Sequence, residues 1–124
     1  MNNPYRSGTA DVWYSGPDND LWVEYKWLPR LPKRHICIVE GANPMLSHLQ
    51  QKWLNARYDE RRNVAVVLGT PAGGIILKDK NWMLPFSFDT LLTKAEVAEW
   101  ISKETHYANH KNTTDSSSNN VSDV

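Results

Sequence analysis

Apolar and polar positions alternate most clearly in the stretch LWVEYKW, residues 21–27, where bulky apolar side chains are interleaved with one carboxylate and one amine. A period of two predicts a strand. The short run Ala10–Tyr14 predicts a second strand before it. The six residues between them, SGPDND, are dense in turn formers, so the two read as a hairpin. The following segment, LPRLPKRH (28–35), predicts an irregular connection, because Pro29 and Pro32 fix φ and remove donors. ICIVE (36–40) predicts one further strand, and GANP (41–44) breaks the chain again. Leu46, Leu49, Trp53, Leu54 and Arg57 recur at helical spacing and predict a helix over 47–61. NVAVVL (63–68) is a continuous β-branched run suited to a strand buried on both faces. GTPAGG (69–74) turns the chain into Ile75-Ile76-Leu77. A last helix is predicted from Thr93 to Glu104, with Thr93 and Glu96 in capping-box spacing and Val97, Trp100 and Ile101 as its apolar face. Residues 107–124 are Ser/Asn-rich and almost free of apolar side chains, and are expected to be disordered. The resulting order predicts an α/β domain over residues 1–106, a small mixed sheet flanked by helices, followed by a polar tail.

Composition narrows the class. A chain of 124 residues suits one compact domain. Fourteen basic and fourteen acidic residues give no net charge, so any nucleic-acid surface must come from local clustering. Cys37 is the single cysteine, which excludes an internal disulfide and fits a reducing compartment; its apolar neighbours mark it as a packing thiol. With no signal-peptide pattern and no long apolar run, a soluble cytoplasmic protein is expected, with no membrane partner. The six tryptophans are spread over separate elements and read as core and interface fillers.

The chemistry concentrates at the hairpin. If its turn centres between Pro17 and Asp18, the numbers of facing residues sum to 35, and Glu24 faces Asp11 while Trp22 faces Trp13. Lys26 lies two positions along the same face. Opposed carboxylates destabilise a sheet unless something compensates, and a divalent cation does so. Mg²⁺ is typically held by one or two carboxylates and keeps waters for phosphate oxygens. A lysine beside it can orient water or stabilise developing negative charge. The bland alternative is a solvated Glu24–Lys26 pair with Asp11 capping a strand end.

Three short motifs then fall in order: GTAD (8–11), WVEYK (22–26) and LSHLQQKW (46–53). Together they resemble the VRR-NUC domain of the PD-(D/E)XK nuclease superfamily, over roughly residues 6–104. The resemblance implies a restriction-endonuclease-like core and a Mg²⁺- or Mn²⁺-dependent endonuclease. It implies Asp11, Glu24 and the Tyr25 main-chain carbonyl as metal ligands, Lys26 as the catalytic lysine, and Gln50 as the motif glutamine beside them. Ser47 and Gln50 also satisfy a capping box, which alone explains both residues. The literal Pro17-Asp18 pair lies in the turn and is assigned no role in catalysis. The family's acidic N-terminal helix has no counterpart in the ten residues before Asp11. Either the site works with fewer ligands, or another chain supplies part of it, or activity is weak; a homodimer burying the exposed apolar surface is expected.

Arg30, Lys33 and Arg34 follow the site directly, and His48 and Lys52 open the helix; these are the candidate DNA contacts, with a solvated connector as the alternative reading. No base-reading motif is present, so DNA structure, including branched or junction DNA, is the expected target. The alternatives are a non-cleaving DNA- or protein-binding module on a nuclease fold, or a nuclease subunit completed by another chain.

Overall fold

The computed structural model describes residues 8–106. Four strands form one mixed sheet in the order β1 (Val12–Ser15), β2 (Asp20–Trp27), β3 (Val64–Thr70) and β4 (Gly73–Leu77). The outer pairs are antiparallel hairpins, whereas β2 and β3 run parallel. The parallel pair needs a crossover, which helix α1 (His48–Asp59) supplies across one face. Helix α2 (Lys94–His106) covers the other face.

This two-sided cover explains the unbroken apolar run of β3. Val64, Val66 and Leu68 pack beneath α1 with Leu54, Leu46 and Trp82. Ala65 and Val67 join Leu21 and Val23 against Val97, Trp100 and Ile101 of α2. The capping box of α2 forms as its sequence predicts: Thr93 Oγ accepts from the Glu96 amide at 3.1 Å and Glu96 accepts from the Thr93 amide at 2.8 Å. The far end of α2 holds the first hairpin. The Thr105 carbonyl accepts from the amides of Asp18 and Asn19, both at 3.1 Å, so Asp18 serves the turn. The partly buried Lys78–Glu104 pair, 3.3 Å apart, ties the same helix end to the segment leaving β4.

The structure departs from the predicted elements in two places, the segment 36–40 and Leu49, and two aromatic residues find partners the pattern did not indicate. Residues 36–40 are not a strand: Ile36 makes only an isolated bridge to Phe86, and turns follow. The segment adds to neither edge of the sheet, although Ile38 is buried. Leu49 is 57% exposed instead of facing the core, because Leu46, ahead of the helix, fills that place. Tyr25 shares the α2 face of β2 with Val23. It is 36% exposed and bonds Tyr14 hydroxyl to hydroxyl. Trp82, in a single 3-10 turn (Asn81–Met83), is fully buried, and its indole N–H donates to Asn55 Oδ1 at 2.8 Å. Among the described residues no helix is long and apolar enough to cross a membrane. The tail 107–124 lies outside the described residues.

Candidate active site

The register of the first hairpin positions the carboxylates. Val12 faces Val23 and Trp13 faces Trp22, so facing numbers sum to 35 as the turn centre predicts. One step further the register brings Asp11 opposite Glu24. The ladder ends there, and the Asp11 side chain takes over its role: Oδ2 accepts from the Tyr25 amide at 3.0 Å. Along β2 the amides of Trp22 and Leu28 donate to the carbonyls of Asn63 and Gly69 on the β3 side. Main-chain groups alternate between strand edges, so Tyr25 directs both its N–H and its carbonyl toward Asp11.

Glu24 lies at the middle of β2 on the α1 face and is 2% exposed. Its Oε2 accepts from Gln50 Nε2 at 2.8 Å and lies 3.3 Å from Lys26 Nζ. Its Oε1 is buried and makes no hydrogen bond. A buried carboxylate oxygen without a donor is costly, and such an atom calls for an explanation at the site itself. Burial pushes the Glu24 carboxyl above the usual carboxylate range, and the Asp11 charge pushes it further. Lys26 and the Asp11 main chain pull it back only in part.

Gln50 does two jobs at once. Its Oε1 accepts from the Ser47 amide at 2.9 Å, while its own amide donates to Ser47 Oγ at 3.1 Å, completing the capping box of α1. The remaining amide hydrogens are then fixed in direction, and one is spent on Glu24. The cap and the site are therefore one construction. Gly8 completes it from the other side. It adopts φ +77°, and a Cβ there would lie 2.3 Å from the main-chain carbon and oxygen of Leu49. Only a glycine lets the chain cross the first turn of α1 this closely before Asp11 enters the sheet.

The fold thus brings Asp11, Glu24, Tyr25, Lys26 and Gln50 together. Among the described residues no three His, Cys, Asp or Glu side chains converge. The available donor set is therefore two carboxylates and a carbonyl, which fits a hard cation that keeps its waters and not a closed structural zinc site. Arg30, Lys33 and Arg34 are exposed on the loop after β2, and His48 and Lys52 are exposed on the first turns of α1. Among the described residues none of these five makes an ion pair, and none contacts the carboxylates. The sequence pattern did not reveal the crossing of Gly8 over α1. The glycine three residues before Asp11 was the available signal. Comparison with family models, curated proteins and solved structures found no match for the chain.

Proposed function

We propose that the protein is a divalent-metal-dependent nuclease that hydrolyses phosphodiester bonds in DNA. The observation that carries this reading is the Glu24 carboxylate: one oxygen is anchored by Gln50 and Lys26, and the other is buried without a donor beside Asp11. Asp11, Glu24 and the Tyr25 carbonyl are the groups that would hold Mg²⁺ or Mn²⁺. When bound, such an ion supplies Lewis-acid polarisation of the phosphate and lowers the pKa of water. The chain's own residues do the rest. Gln50 fixes the rotation of the Glu24 carboxylate through Oε2, which leaves Oε1 for the ion. Lys26 brings a proton-bearing cation to the same site and can orient the attacking water or stabilise charge on the phosphate. Arg30, Lys33, Arg34, His48 and Lys52 offer exposed donors, without ion pairs among the described residues, for the flanking phosphate backbone.

The sequence carries no base-reading motif, so DNA structure, including branched DNA, is the target we propose, and a homodimer would present two such sites to a symmetric junction. A second reading, a module that binds DNA without cutting it, is favoured by one observation: only two carboxylates converge among the described residues. Supercoiled, linear, flap and four-way-junction DNA incubated with Mg²⁺, Mn²⁺ or EDTA separate the two. Metal-dependent cleavage is expected, falling about 10²–10³-fold in Lys26→Ala, the size of one lost transition-state donor, and also lost in Asp11→Ala. Binding of junctions with no cleavage under any metal establishes the second reading instead.

A further inference from the structure

Two residues from Asp11, on the same face of the sheet, stands an indole that packing within the chain does not explain. Trp13 is 52% exposed. One of its ring faces stacks on Trp22, with centroids 5.8 Å apart and planes at 24°. Trp22 in turn meets Trp53 of α1 edge-on at 5.4 Å. The Arg57 guanidinium covers the Trp53 ring at 5.5 Å and is itself locked by Glu60. Trp13 is therefore a rigid outer plate on a buttressed aromatic row, with its free face turned to solvent beside the carboxylates.

We propose that this free face stacks an unpaired base of the bound strand, adjacent to the phosphate that a cation held by Asp11 and Glu24 would engage. The inference rests on the nuclease reading of that site. Size decides between a base and a second copy of the chain as the occupant. Taking ~250 Å² for a free indole, half exposure leaves roughly 130 Å² to cover. A stable interface between proteins needs about 800 Å² per partner. A single base is matched to the smaller area. Chemistry points the same way, because every base offers a π-face and stacking on an aromatic plate tolerates any sequence. Spacing agrees as well: residues two apart on a strand are separated by about 6.8 Å, so the plate and the carboxylate site are near neighbours.

The test uses the full chain in Ca²⁺, a hard oxygen-binding cation, and again in EDTA, with fluorescently labelled oligothymidylate and a blunt duplex of equal length as probes. Trp13→Ala is expected to weaken the single-strand probe by about five- to 150-fold, the range for one lost stacked base, and to leave duplex binding near wild type. Trp13→Phe, which keeps a plate, should retain most of the affinity; Trp27→Ala, at an exposed tryptophan of the opposite parity on β2, should retain all of it. Equal single-strand affinity in Trp13→Ala, or equal loss on both probes, overturns the proposal. So does a lower oligomeric mass in Trp13→Ala, which would mean that the plate is covered by a second copy. The two readings fail separately. Metal-dependent, Lys26-dependent cleavage with no effect of Trp13→Ala on binding removes only the stacking proposal. Trp13-dependent binding with no cleavage under any metal removes only the nuclease.

Discussion

Replacing Gln50 by alanine tests whether the α1 cap and the carboxylate site are one construction. The substitution removes two side-chain hydrogen bonds. The first, from the Ser47 amide to Oε1, is half of a capping box, and losing a cap costs about 1 kcal/mol. The second, from Nε2 to Glu24 Oε2, is a buried hydrogen bond to a carboxylate, and such bonds contribute about 1.5–3 kcal/mol. The expected loss is therefore roughly 2–4 kcal/mol. For a domain of this size it lowers Tm by about 10–25 °C. Ser47→Ala is the control, since it removes only the hydroxyl that accepts from the Gln50 amide and should cost about 1 kcal/mol. Urea and thermal unfolding of the two variants, with the double variant Glu24→Gln/Gln50→Ala, give the share carried by Glu24. If Gln50→Ala is no less stable than Ser47→Ala, the bond to Glu24 contributes nothing, and Gln50 is a cap residue only.

Four further outcomes are expected. Because the Glu24 carboxyl is raised, the folded protein holds that proton more tightly than the unfolded chain. The resulting stability is fully present below the unfolded pKa and is lost as pH rises through the folded one. Glu24→Gln should therefore flatten the pH dependence of Tm and be the more stable form at neutral pH; an unchanged pH profile refutes the assignment. Added Mg²⁺ should stabilise the wild type increasingly as pH rises, by about 2.7 kcal/mol at a concentration of 100 Kd, and should leave Glu24→Gln unaffected in calorimetry. Gly8→Ala should cost about 1–3 kcal/mol from the left-handed conformation alone and displace Asp11, so cleavage falls further than Tm predicts; a variant with wild-type Tm would show that the crossing over α1 is not tight. Sedimentation at micromolar concentration should give the mass of a dimer, and a monomer mass refutes the homodimer.

The sequence by itself determined much of this protein, wherever a local rule sufficed. The turn chemistry of 15–20 fixed the centre of the first hairpin, and the centre fixed the register that sets Asp11 opposite Glu24. The β-branched run at 63–68 announced a strand covered on both faces, and the Thr93–Glu96 spacing announced the start of α2. Tertiary structure decided what depended on distant partners. Apolar content alone made a strand of 36–40, yet the segment adds to no strand of the sheet and Ile36 makes only an isolated bridge to Phe86. Trp82 carries no periodic signal, and only the assembled layer beneath α1 shows why it is buried. Ser47-x-x-Gln50 reads equally as a cap or as part of a site. The choice vanished once α1 lay across β2, because one amide group has an oxygen for the cap and a nitrogen for Glu24. The exposure of Trp13 was likewise invisible in a strand of alternating residues. It follows from β1 being the short edge of the sheet, where nothing in the described chain covers the outer indole.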